Sequence, residues 1–136
     1  MRHPRGEKGQ SLTELALVLP VLLIILAGVL DLGRLYYSYI AVTDAAAEGA
    51  AFAALHPQEN RRGEVLRRAQ EASHGLVQVD SGMVKVECPS VASGAPVTVT
   101  VSYSFTVATP LFNVIVPGGV LELRAVAQEA ILAGEF

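Results

Sequence analysis

Residues 15–30 read LALVLPVLLIILAGVL, sixteen consecutive positions without a charge between Glu14 and Asp31. The run is apolar all round, so it offers no polar face that an amphipathic surface helix would turn toward water. Directly behind it, residues 32–55 read LGRLYYSYIAVTDAAAEGAAFAAL, with no proline until Pro57, where continuation of a helix is disfavoured. From Ser11 to Leu55 a continuous helix would be about 67 Å long. That is more than twice the ~30 Å hydrocarbon thickness of a bilayer. The pattern predicts a single helix, half of it in a membrane and half standing clear.

Charge sets the direction. The leader MRHPRGEKG carries Arg2, Arg5 and Lys8 against Glu7, whereas Arg34 is the sole basic residue between positions 31 and 50. The positive-inside bias keeps the N-terminus in the cytoplasm and exports the rest. A secretory signal peptide opens in the same way, but here no small-x-small cleavage site closes the apolar run. The chain divides into a basic leader (1–9), a transmembrane part of the helix (10–34), and an exported stalk and head (35–136). Within the helix, Pro20 removes one backbone hydrogen bond and is expected to bend or loosen it locally. Asp31 and Arg34, three apart on one face, are expected to form an ion pair at the membrane exit. Ala45, Ala46, Ala47, Gly49, Ala50, Ala51, Ala53 and Ala54 make a surface of little bulk. It permits close packing against either the chain's own sheet or another subunit.

After Pro57 the sequence changes to that of a water-soluble head. In residues 59–73, ENRRGEVLRRAQEAS, the apolar Val65, Leu66, Ala69 and Ala72 share a helical face. The arginines interleave with Glu59, Glu64 and Glu71 as a solvated face, and Gly75 ends the helix. Leu76–Asp80 and Met83–Cys88 flank Ser81-Gly82 as a hairpin. Val97, Val99, Val101, Tyr103, Phe105 and Val107 alternate with Thr98, Thr100, Ser102, Ser104 and Thr106, a half-buried antiparallel strand with one wet face. Pro110 and Pro117-Gly118-Gly119 bracket a loop before a last strand, Val120–Ile131. The fold class is α+β, with a long N-terminal helix, a short second helix and an antiparallel sheet of three or four strands.

Composition excludes several functions. Apolar residues make up 51% and charged residues 17% of the 136, too apolar for a disordered chain. One cysteine, Cys88, rules out an internal disulfide framework or a multi-cysteine metal site. Cys88 is expected on the inward face of its strand with Val84 and Val86, as an inert thiol. A net charge of −3 argues against nucleic-acid binding. His56 and His74 each sit beside a helix end and are expected to be solvated. The sequence contains no HExxH, GxSxG, P-loop, GxGxxG or EF-hand pattern. An enzyme, a cofactor and a metal are therefore not expected.

The segment Gly9-Gln10-Ser11-Leu12-Thr13-Glu14 lies between the basic leader and the apolar run. A glycine followed five residues later by a glutamate at that place resembles the class III signal of type IV pilins and pseudopilins. The wider run RGEKGQSLTELALVLPVLLIILAGVLDLGRLYYSYIAVTDAAAEGAAFAA is similar to the TadE-like family of the Tad/Flp secretion apparatus, and VTVTVSYSFTVATPLF resembles that family's C-terminal strand and loop more weakly. The resemblance implies a minor pilin or pseudopilin, cut between Gly9 and Gln10 by a prepilin peptidase and built into or beneath a pilus. It also implies docking through Gln10 and Glu14 onto other Tad pilins, with membrane lipid around the helix. Leu15 stands where pilins of this system often carry an aromatic residue. The head is also far larger than anything in the small major Flp pilins, so a filament of this chain alone is the less favoured arrangement. The competing class is an uncleaved, permanently anchored module whose exported sheet binds a ligand or partner.

Overall fold

The computed structural model describes residues 7–57, 62–73, 75, 77–109 and 116–132. Helix α1 runs unbroken over Glu7–Leu55 and α2 over Arg62–Ala72. The strands are β1 (Val84–Glu87), β2 (Pro96–Thr106) and β3 (Val120–Ala130). They form one antiparallel sheet in the order β1-β2-β3. This is the α+β arrangement expected, with three strands.

Two environments divide α1. Every residue from Gly9 to Leu26 is exposed, a projecting length of about 27 Å at helical rise. From Gly28 onward one face is buried. It runs through Asp31, Ser38, Ala41, Val42, Ala45, Ala46, Gly49, Ala50, Ala53 and Ala54, the three-and-four spacing of a helix stripe laid on a sheet. Pro20 lies inside the helix without ending it; lacking an N–H, it leaves the Ala16 carbonyl without its helical donor, and its ring crowds that carbonyl. At the far end two orphan carbonyls are satisfied. His56 Nδ1 lies 3.1 Å from the Phe52 carbonyl, and the Leu132 amide donates to the Ala54 carbonyl at 3.2 Å. His56 is exposed, as expected, and stacks on Phe52 at 4.4 Å. His74 lies outside the described residues.

The stripe meets the inner face of the sheet. Val97, Val99 and Val101 of β2 are at most 1% exposed, with Phe105, Ala125 and Ile131 beside them. Val65 and Ala69 of α2 close the core from the side. The small-residue surface therefore packs on the chain's own sheet, except for Ala47 and Ala51, which are exposed. Register places Val99 opposite Ala127 and Val101 opposite Ala125, so small residues on β3 make room for the helix. On the outer face Thr98, Ser102, Ser104 and Thr106 are half-buried or exposed, as the alternation requires. Thr100 departs from it. Paired between Lys85 and Val126 at the middle of the central strand, it is buried by its neighbours.

The expected hairpin forms only in part. The turn is present, with the Met83 amide donating to the Asp80 carbonyl at 2.9 Å, but residues 77–80 are not a strand. Val77 and Val79 are buried at a spacing of two, the signal that mimics a strand. Side chains of α2 and its C-terminal end face their carbonyls instead: Gln70 Nε2 donates to Val79 at 2.7 Å, and the Ser73 hydroxyl, shared with the Gln70 carbonyl at 2.7 Å, lies 3.0 Å from the Val77 carbonyl. Local side-chain bonds have displaced a ladder. Leu76, like Pro110, lies outside the described residues. The helix stop at Gly75 is as read, with φ of 72°.

Cys88 requires a correction. It is exposed, because β1 ends at Glu87 and Pro89 follows, so the chain leaves the sheet before the thiol turns inward. Its Sγ lies 3.2 Å from the Ser90 carbonyl, a contact within the outgoing loop.

Gly49 sits at the tightest point of the helix–sheet contact. A Cβ there would lie 3.3 Å from Val99 Cγ1 and 3.4 Å from Val65 Cγ1, whereas Gly33 has nothing within 4 Å. Gly49→Leu should lower the stability of the full chain in detergent by about 1–3 kcal/mol through overpacking. Gly33→Leu should leave it unchanged or slightly raised. Thermal unfolding followed by circular dichroism decides, and equal midpoints for the two variants would refute the tight contact.

Candidate functional site

The residues singled out from the sequence fall at two levels of α1. At the lower level, Gly9, Gln10 and Glu14 are all exposed within the first turns of the helix. Gln10 and Glu14 are four apart and share a face, with Gln10 Nε2 donating to Glu14 Oε1 at 3.2 Å. Thr13 Oγ1 donates to the Gly9 carbonyl at 2.9 Å. No atom outside the immediate helix backbone and chain neighbours lies within 4 Å of a Cβ built on Gly9. The peptide between Gly9 and Gln10 is thus laterally open and wound into the helix start.

At the upper level, Arg34 Nη1 lies 3.1 Å from Asp31 Oδ1, the pairing that the three-residue spacing predicts. The surroundings of Asp31 go further than the sequence reading did. Its side chain is only 7% exposed. Its Oδ2 accepts the backbone amide of Thr109 at 2.7 Å, and its Oδ1 accepts that of Ala108 at 3.3 Å. A carboxylate on the long helix therefore holds the two residues that follow shortly after β2. Arg34, itself 57% exposed, covers the pair from outside and lies with its guanidinium 5.4 Å from the centre of the Phe105 ring.

Ala108, Thr109 and Phe105 were missed as partners because they lie more than seventy positions away in sequence. Asp31 was also already accounted for by Arg34. One signal was available. Asp31, Ser38, Val42, Ala45 and Gly49 fall on the same helical face, so the face that meets the sheet also carries Asp31.

Elsewhere the charges pair along single elements, apart from Arg68 of α2, which lies 3.9 Å from Glu48 of α1. Arg67 bridges Glu64 and Glu71 along α2, which holds its guanidinium above its ordinary pKa. Lys85 beside Glu87 on β1 holds that carboxyl below the usual range. Both are exposed arrangements of small energetic weight. An open groove of about 580 Å³ runs between Asp44, Glu48, Arg68, Glu71 and Glu129 over Ala47 and Ala51. Among the described residues no three His, Cys, Asp or Glu side chains are grouped to hold a metal ion.

Residues 9–51 match the model of a family described as TadE-like protein. This bears out, over that stretch, the resemblance read from the sequence. No curated protein and no solved structure matches the chain. The matched segment begins at Gly9 and ends at Ala51, within the part of α1 that packs on the sheet. The α1 residues of both levels therefore lie inside it.

Removing the Asp31 carboxylate leaves two backbone donors without acceptors, at about 1–3 kcal/mol each when they stay buried. Asp31→Ala should therefore speed hydrogen exchange at the Thr109 amide by at least about tenfold while amides of Val99 and Val101 stay protected. Arg34→Ala, which removes an exposed partner, should cost no more than about 1 kcal/mol. Unchanged exchange at Thr109 in Asp31→Ala would show that the carboxylate is not what holds the end of the sheet.

Proposed function

From the match of residues 9–51 to the TadE-like family, we propose that this chain is a structural minor pilin or pseudopilin of a Tad-type pilus or secretion apparatus. The observation that carries the reading is the continuity of α1. One unbroken helix holds the family's segment, an apolar length exposed on every side, and the face on which the head is folded. A helix of this length and hydropathy is able to cross a membrane. In the proposed arrangement it spans the inner membrane once, with the basic leader in the cytoplasm and the head outside.

The chemistry is done to the chain and not by it. A prepilin peptidase hydrolyses the Gly9–Gln10 bond, the leader leaves with a new carboxylate on Gly9, and Gln10 acquires a free α-amine. Because this bond is wound into α1, the first turn must unwind to meet the peptidase, and Gly9 eases this with its freedom at the backbone. The mature helix then begins at Gln10, with Glu14 on the same face. When helices pack side by side, the carboxylate of one meets the amine of another. A buried pair of this kind adds little net stability, but removing one partner strands the other charge at about 3–5 kcal/mol. That difference makes Glu14 a register key for docking onto other Tad pilins.

Two variants test the reading together. Gly9→Leu should accumulate as full-length precursor in the membrane, seen by intact mass and N-terminal sequencing. Glu14→Ala should be inserted and cut like the parent, yet fail to co-purify with pilin partners. Normal maturation of Gly9→Leu would show the class III assignment to be wrong, an intact Met1 leader on the parent chain in membranes would favour a permanently anchored binding module, and normal assembly of Glu14→Ala would leave Glu14 as an ordinary helix-start residue.

A further inference from the structure

Of the four tyrosines in the chain, three stand within four residues of one another on α1, just beyond the apolar run. Tyr36, Tyr37 and Tyr39 are 64%, 62% and 52% exposed. They flank the stripe on which the head sits and project away from it. Val29, Leu30 and Leu32 below them are equally uncovered, in contrast to the fourth tyrosine, Tyr103, which is half-buried in the head. No described part of the molecule covers this girdle.

Heights along the helix identify what does. If the exposed apolar residues from Leu12 to Leu32 span the hydrocarbon, they account for about 30 Å, the thickness of that layer. The Cα atoms of Tyr36 and Tyr37 then stand about 6–8 Å above its edge and that of Tyr39 about 10 Å above it, and their rings reach lower because helical side chains lean toward the N-terminus. The polar headgroup region occupies roughly the first 5–8 Å beyond the hydrocarbon on each side. A tyrosine ring has an apolar body and a hydroxyl that seeks water, and this interface suits both. The head is fixed at the same height. The Thr109 amide sits 2.7 Å from Asp31 Oδ2, and the Val107 amide donates to the Gly119 carbonyl at 2.9 Å. The Pro117–Gly119 turn and the start of β3 at Val120, 49% exposed, are therefore brought down to the level of the helix exit.

We propose that the tyrosine girdle and the β2–β3 end of the sheet form a membrane-surface site, seated together in the lipid headgroup layer on the exported side. The head then rests on the bilayer and does not stand off on a stalk. Asp31 lies at the edge of the hydrocarbon, where Thr109, Ala108 and Arg34 shield its carboxylate from lipid. The proposal rests on the membrane-spanning part of the proposed function and is independent of cleavage and of pilus assembly.

The chain has no tryptophan, so a single introduced one reports a single depth. The full chain is reconstituted in phosphatidylcholine vesicles at high lipid excess, with bromine carried near either the carbonyl end or the methyl end of the acyl chains. Leu22→Trp should be quenched most by the deep bromines. Tyr37→Trp and Val120→Trp should lose most of their emission to the shallow bromines and little to the deep ones. Val126→Trp, about 20 Å further along β3, should be untouched by either. If Leu22→Trp is quenched but Tyr37→Trp or Val120→Trp is silent, the surface site is wrong and the anchor stands. If Leu22→Trp is also silent, the membrane-spanning reading itself fails and this proposal with it. Shielding of Tyr37→Trp that appears only at high protein-to-lipid ratio marks a second copy of the chain as the occupant and overturns the proposal.

Discussion

A helix can lie flat on a sheet only if its side chains leave room, and the close approach of α1 to β2 is the constraint from which the head follows. Along the contact α1 presents alanine at 41, 45, 46, 50, 53 and 54 with Gly49 among them, while β2 presents valine at 97, 99 and 101. Small residues on the helix let branched residues on the strand fill the space at interior density. The same logic reaches β3, where Ala125 and Ala127 stand opposite Val101 and Val99. Much of the core is therefore supplied by a helix that, one stretch earlier, has no core to pack on at all.

That helix serves two surroundings, and the change between them is complete at Asp31. From Gly9 to Leu26 every side chain is exposed, and above Asp31 one face is committed to the sheet. A carboxylate is an expensive group to bury. Here it is held by two backbone amides and one guanidinium, so the group that is costly to bury becomes the tie between helix and head.

What was legible in the sequence was whatever a short-range pattern encodes. The uninterrupted run from Leu15 to Leu55 gave the helix, the alanines between 45 and 54 gave its small face, and alternation from Val97 to Val107 gave the central strand. The amphipathic face of α2 followed from Val65 and Ala69. The failures share a cause. Val77 and Val79 alternate like a strand, but their carbonyls face the side chains of Ser73 and Gln70, and a pattern of side chains does not reveal which group meets a backbone carbonyl. Cys88 was placed by extending the period of β1 one step beyond the point where Pro89 ends it. At the site, the Asp31–Arg34 pair was visible because it is local, whereas its ties to Ala108 and Thr109 depend on how the sheet returns to the helix.

The interface between α1 and the sheet is closed at both ends, by Asp31 on Thr109 at the bottom and by the Leu132 amide on the Ala54 carbonyl at the top. Its strands run along the helix between these two ties. A pull on the head along the helix axis therefore loads the valine–alanine contacts in parallel, as a shear, with no free end from which to peel. A chain built this way transmits axial tension between its head and its projecting helix through the whole contact at once, and yields only when most of it slides together.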